Sequence, residues 1–197
     1  SAARPTKFDN KGSYAILAQQ GSRIVLRERN SISPVVSNGV NGILLEHGSR
    51  GDISGVAYSS MTGIAVRATG ASILNAQLCT YSDIGNVCLY ATNGSVINAP
   101  ESVFTGVAAI ALADGAEINL NNSTASGAIT GIAINSLNGG KVVAINAVFN
   151  NAGSHGINCE GASVYARNIK LNSANGHAVR AVGGFVDVTE ATATGAT

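Results

Sequence analysis

From Ile64 onward, apolar residues return in short alternating sets separated by clusters of Gly, Asn, Ser and Thr. With Ile73 as anchor, the equivalent positions are Val96, Ile118, Val142, Val164 and Val186, at intervals of 23, 22, 24, 22 and 22 residues. All six are β-branched and apolar, the type that suits a buried strand position. Three residues before them stand Gly70, Asn93, Gly115, Gly139, Gly161 and Gly183. Gly adopts positive φ freely and Asn tolerates it, so the pattern predicts a left-handed bend at the same point of every repeat. Ile53 and Ile24, the latter with Gly21 three before it, mark two earlier and less regular turns.

Short strands are predicted before each bend. Ile64/Val66/Ala68, Val87/Leu89/Ala91 and His177/Val179/Ala181 alternate with outward residues at period two. In the third and fourth repeats the inward set reads Ile110/Leu112 and Ile132/Ile134, a shift of one residue. Four residues after the anchors come Gln77, Pro100, Asn122, Asn146, Asn168 and Glu190, a corner row of stacked amides that Pro100 interrupts. No window holds a helix-period stripe long enough to compete.

A unit of 22 to 24 residues cannot bury its apolar face alone, but a stack of such units can. The sequence therefore predicts an all-β fold, a right-handed parallel β-helix over residues 42–197. Residues 1–41 form a less regular N-terminal segment. Six clear coils at the strand spacing of about 4.8 Å would rise roughly 29 Å. The closing ATATGAT reads as half a coil without a charged cap, as in a piece of a longer protein or a subunit covered by a partner.

Composition sharpens this picture. Gly makes up 24 of 197 residues and charged residues only 12%, which favours tight turns and uncharged polar faces. A net charge of +1 gives no reason to expect nucleic acid, and no apolar run approaches the ~20 residues that span a bilayer, so no membrane insertion is expected. Seven of the twelve bases (Arg4, Lys7, Lys11, Arg23, Arg27, Arg29 and Arg50) lie in the first fifty residues, as a solvated basic segment. Cys79, Cys88 and Cys159 are odd in number and lack metal spacing, so they read as buried thiols in a protein assembled in the cytosol.

Coils such as VRATGASILNAQ, LYATNGSVINAP and NCEGASVYARNI resemble the β-helical part of bacteriophage tailspikes and tail fibres. The resemblance covers about residues 42–197 and rests on repeat style, with no catalytic motif matched. It implies a homotrimer on the virion, assembled in the bacterial cytoplasm, that recognises bacterial surface polysaccharide. Many members also cleave that polysaccharide as glycosidases or lyases. A trimeric shaft segment and a bacterial adhesin are the rival readings.

Candidate chemistry follows from residues that share a column. Thr69, Thr92, Asp114, Asn138, Glu160 and Val182 stand four before the anchors, which places Asp114 and Glu160 two coils apart with Asn138 between. Two coil spacings give about 9.6 Å, near the upper end of the ~6.5–9.5 Å carboxyl separation of inverting glycosidases. One acid would protonate the leaving oxygen while the other activates water. The plainer reading is two solvated acids beside a bend. Arg67, Tyr90, Ser136, Asn158 and Arg180 fall on the outward strand face, where they suit sugar hydroxyls or carboxylates. Glu117 and Lys141 should form a cross-strand ion pair. His155 and His177 share a column that offers no third ligand, so no metal is expected and they read as a hydrogen-bonded core pair or as subunit contacts. Tyr81 and Phe104 read as an internal aromatic stack. No cofactor is implied.

Overall fold

The alternating triplets form strands because their β-branched residues fill one side of a pleat while the Gly- and Asn-containing links turn the chain between them. The computed structural model describes residues 7–9, 13–27, 33–172 and 175–195. Within them are 25 strands and no helix. The strands fall into three all-parallel sheets of nine, eight and eight strands. Sheet A contains strands such as Thr80–Ile84, sheet B those such as Val87–Thr92 and sheet C those such as Val96–Asn98. The chain visits A, B and C in turn for about eight coils, and each strand pairs with its equivalents one coil before and after. This is a parallel β-helix. Lys7–Asp9, Tyr14–Ala18, Arg23–Val25 and Val35–Ser37 belong to the same three sheets as the later strands.

The core is the inside of the tube. One column in sheet A stacks Val36, Tyr58, Tyr81, Phe104, Ala125, Phe149 and Leu171 in register. The rings of Tyr58 and Tyr81 lie parallel at 5.0 Å between centroids, and those of Tyr81 and Phe104 at 4.9 Å. These rings are fully buried, so the expected aromatic stack is internal and extends by one ring to Tyr58. In sheet B the inward columns are Ile43, Val66, Leu89, Ala111, Ile134, Ile157 and Val179, then Leu45, Ala68, Ala91, Ala113, Ser136, Cys159 and Ala181.

All six predicted bend residues have positive φ, from Asn93 at 53° to Gly139 at 76°. The anchor column, however, is off by one in two coils. Ile73 pairs with Val96, and Val96 with Glu117, whereas the buried column runs Leu74, Ile97, Ile118, Val142, Val164 and Val186. Ile73 is 45% exposed. The cause is turn length. Gly70 and Ala71 are both left-handed, as are Asn93 and Gly94, and the buried residue comes three after the last of the pair. Ile24 keeps its place in this column, but its next partner is Gly51 rather than Ile53. Leu74 explains the glycine: a Cβ on Gly51 would stand 2.3 Å from its Cδ1.

The same slip moves the amide row. Leu78 and Glu101, not Gln77 and Pro100, take the left-handed position that Asn122, Asn146, Asn168 and Glu190 occupy in later coils. Asn146 Nδ2 donates to Asn122 Oδ1 at 3.2 Å, and Asn168 Nδ2 to Asn146 Oδ1 at 3.0 Å, so the corner ladder forms over three coils. The predicted shift is seen in the fourth repeat, where Ile134 points inward in register with Ala111, but not in the third. Ala111 and Ala113 point inward, and Leu112 pairs with Tyr90 on the outside. Of the basic residues near the N-terminus, Arg27 pairs with Asp52 and Lys7 with Asp9, while Arg4, Lys11 and Arg29 lie outside the described residues.

Candidate binding face

Sheet B turns one ladder outward. In register it reads Leu44, Arg67, Tyr90, Leu112, Asn135, Asn158 and Arg180. Four of the five residues expected on this face are there. Ser136 is the exception: it is fully buried, between Ala113 and Cys159, and Asn135 takes the outward place. Strand alternation makes a one-residue slip exchange the two faces, and that is what happened here.

The ladder has two parts. At its start the Arg67 guanidinium carbon sits 5.1 Å from the centre of the Tyr90 ring, a cation–π stack. At its far end the groups are linked by hydrogen bonds. Asn158 Nδ2 donates to Asn135 Oδ1 at 2.8 Å, and Arg180 Nη1 donates to Asn158 Oδ1 at 2.7 Å. Arg180 Nη1 also donates to the Glu160 carboxylate. Asn158 has a relative exposure of 5%, so its amide braces Asn135 and Arg180 from within the ladder.

The two candidate acids do share a column, two coils apart, but the residue between them is Leu137 rather than Asn138. Asn138 lies one position further, in the bend, and its Nδ2 donates to Asp114 Oδ1 at 2.7 Å. Thr92 Oγ1 donates to Thr69 Oγ1 at 2.8 Å earlier in the row. The Arg180 guanidinium first, and the Asn158 amide second, hold the Glu160 carboxyl below its ordinary value. A carboxylate kept ionised in this way suits the base half of an inverting pair and works against the proton-donor half.

The remaining candidates have structural places. Glu117 and Lys141 pair in register with Nζ 3.0 Å from Oε1, an exposed bridge worth under ~1 kcal/mol. His155 and His177 stack at 5.3 Å and 6°, and the His177 backbone N–H donates to His155 Nδ1 at 3.1 Å. The pair forms as expected but sits at the rim, since His177 is exposed. Among the described residues no group of three metal-ligating side chains occurs. Cys79, Cys88 and Cys159 are all buried free thiols, and burial pushes Cys79 up to about 11. Such thiols are inert at neutral pH. No helix among the described residues is long and apolar enough to cross a membrane.

No protein-family model, no curated protein and no solved structure matches this chain. The β-helix itself is a fold compatible with structural and binding roles.

Proposed function

We propose that the chain is the β-helical segment of a phage tailspike or tail fibre that binds polysaccharide on the bacterial surface. The observation that carries this reading is the outward ladder of sheet B. It presents Arg67 stacked on Tyr90 and, beyond Leu112, the Asn135 amide and the Arg180 guanidinium. The Asn158 amide holds those two from between them, with the Glu160 carboxylate beside it, and successive coils are about 4.8 Å apart. Amides donate and accept at once, as sugar hydroxyls do, and Arg adds a planar fork for carboxylates. Because Asn135, Asn158, Arg180 and Glu160 hold one another, little side-chain freedom is lost when a ligand docks. Buried free thiols fit assembly in a reducing bacterial cytoplasm before delivery to the virion. A homotrimer is part of the proposal, and light scattering at micromolar concentration should give three times the single-chain mass.

The test is binding of the chain to capsules and O-polysaccharides from a panel of strains. Arg67→Ala and Arg180→Ala should each weaken attachment to acidic polysaccharide about tenfold. Unchanged binding in both variants would refute this face as the receptor site.

One observation favours a second reading, depolymerisation: Asp114 and Glu160 stand in one column two coils apart. If they cleave, Asp114→Asn and Glu160→Gln should each abolish chain shortening, and Asp114→Asn should leave binding intact. Binding without cleavage is our conclusion, because Arg180 keeps Glu160 from serving as the proton donor and the Asn138 amide donates to Asp114 Oδ1, an oxygen the donor role would need.

A further inference from the structure

A second surface is built where sheet A hands the chain to sheet B. Near the end of successive sheet A strands one residue is left-handed: Ser60, Asp83, Gly106, Gly127 and Asn151 have φ of 54°, 54°, 60°, 83° and 56°. The kink turns the residues that follow inward, and Met61, Ile84, Val107, Ile129 and Ala152 are all buried. The seam is thereby drawn in toward the tube axis. Two glycines of its lining have no room for a side chain: a Cβ on Gly153 would stand 2.3 Å from the Thr130 carbonyl oxygen, and one on Gly85 3.0 Å from that of Thr62.

The result is a furrow parallel to the axis. One stretch of about 470 Å³ is lined by residues including Thr62, Asp83, Gly106, Ala108 and Thr130. A second stretch, of about 490 Å³, continues from Thr130 to Asn151. Together they pass over at least five coils, roughly 19 Å at the strand spacing. Along the sheet A side runs an unbroken outward column of Ser59, Ser82, Thr105 and Ser126. Thr105 and Ser126 hydroxyls lie 3.3 Å apart, and the Ser82 hydroxyl makes only a 3.4 Å contact to the Tyr58 carbonyl. Each hydroxyl has one donor and two acceptor sites, so capacity remains for a ligand.

Charge decides what kind. Among the described residues no Lys or Arg lines either stretch, and the single acid is Asp83. An anionic chain would lose water here with no cation to meet it, and would face a carboxylate besides. We infer that the A–B seam is a binding groove for an uncharged linear polysaccharide lying along the solenoid axis, separate from the charged ladder of sheet B. This rests on the glycan-binding reading above and adds a second site with its own ligand class.

The experiment compares wild type, Thr130→Arg, Thr62→Arg and Arg180→Ala by biolayer interferometry. The probes are a panel of neutral O-polysaccharides and a panel of uronic-acid capsules. Thr62 and Thr130 are exposed, so melting curves should match wild type and the substitutions should act by filling the furrow. At least one neutral polysaccharide should bind wild type, and its affinity should fall roughly tenfold or more in both threonine variants. Arg180→Ala should change that affinity less than about threefold. Neutral polysaccharide that binds the threonine variants as well as wild type overturns the groove while leaving receptor binding intact. Loss of neutral binding in Arg180→Ala alone moves the ligand to sheet B and also overturns it. No binding of either panel defeats the glycan-binding reading, and the groove with it.

Discussion

Gly161 and Gly153 are close in sequence and differ in why they must be glycine. Gly161 turns the corner from sheet B to sheet C with φ +56° and nothing within 4 Å of where a Cβ would sit. Gly153 lies in the A–B seam with an ordinary φ, but a Cβ there would stand 2.3 Å from the backbone oxygen of Thr130. The corner asks for a conformation, and the seam asks for room. One residue type thus marks two physical demands, and only one of them leaves space for a larger side chain.

The same substitution at both sites is the strongest way to break this distinction. Gly153→Ala should be the most damaging, at about 3 kcal/mol, because backbone must move away from backbone. Gly161→Ala should cost about 1 kcal/mol, the penalty of a left-handed non-glycine residue. Equal losses in urea unfolding would erase the difference between corner and seam. Gly161→Val sits between them, at roughly 1–3 kcal/mol, since a β-branched residue resists positive φ more than Ala does.

A third comparison sharpens the corner. Asn93 holds φ 53° as the first of two left-handed residues at its corner, where Gly161 stands alone, and its Nδ2 reaches Thr69 Oγ1 at 3.3 Å. Asn93→Gly should therefore alter stability by less than about 0.5 kcal/mol. A loss above 1 kcal/mol would assign that corner to its side-chain hydrogen bond instead.

The smallest effect belongs to the corner that leads from sheet C back to sheet A. There the Thr189 hydroxyl first, then the Arg167 guanidinium, hold the Asp187 carboxyl at about 2. A depressed folded value stabilises the protein above the unfolded carboxylate range and loses that contribution as pH falls toward 2. Thr189→Val should lower the melting temperature slightly at pH 7, and the gap to wild type should close on acidification to pH 2. A gap that stays constant with pH would remove Asp187 as the source.

Periodicity carried most of this architecture in the sequence. All six predicted bend residues are left-handed because a corner without a Cβ clash leaves a residue-type signature. What it hid was turn length. Ile73-Leu74 and Val96-Ile97 are each two apolar residues in succession, so residue type could not say which faced inward. The extra left-handed residue at Ala71 and Gly94 decided it. The one-residue ambiguity also put Ser136 outside and Leu112 inside, the reverse of their positions. The candidate face was legible as a column, since Arg67 and Tyr90, then Asn158 and Arg180, do meet. The Glu160–Arg180 bridge was not, because it is a diagonal contact between neighbouring columns. The seam was invisible for another reason: it is defined by missing side chains and by left-handed Ser60 and Asp83, residues that announce no bend.

The pairing of each strand with its equivalents one coil away also sets how the chain finds its fold. Side-chain hydrogen bonds between coils join residues 20 to 29 positions apart, from Arg167–Asp187 to Asn38–Asp9. Closing such a loop is entropically modest, and no strand waits for a distant part of the chain. Two neighbouring coils can nucleate anywhere and recruit the next, as in a one-dimensional array. A lesion such as Gly153→Ala should then leave nucleation elsewhere untouched and stall growth at its own coil, splitting a single unfolding step into two.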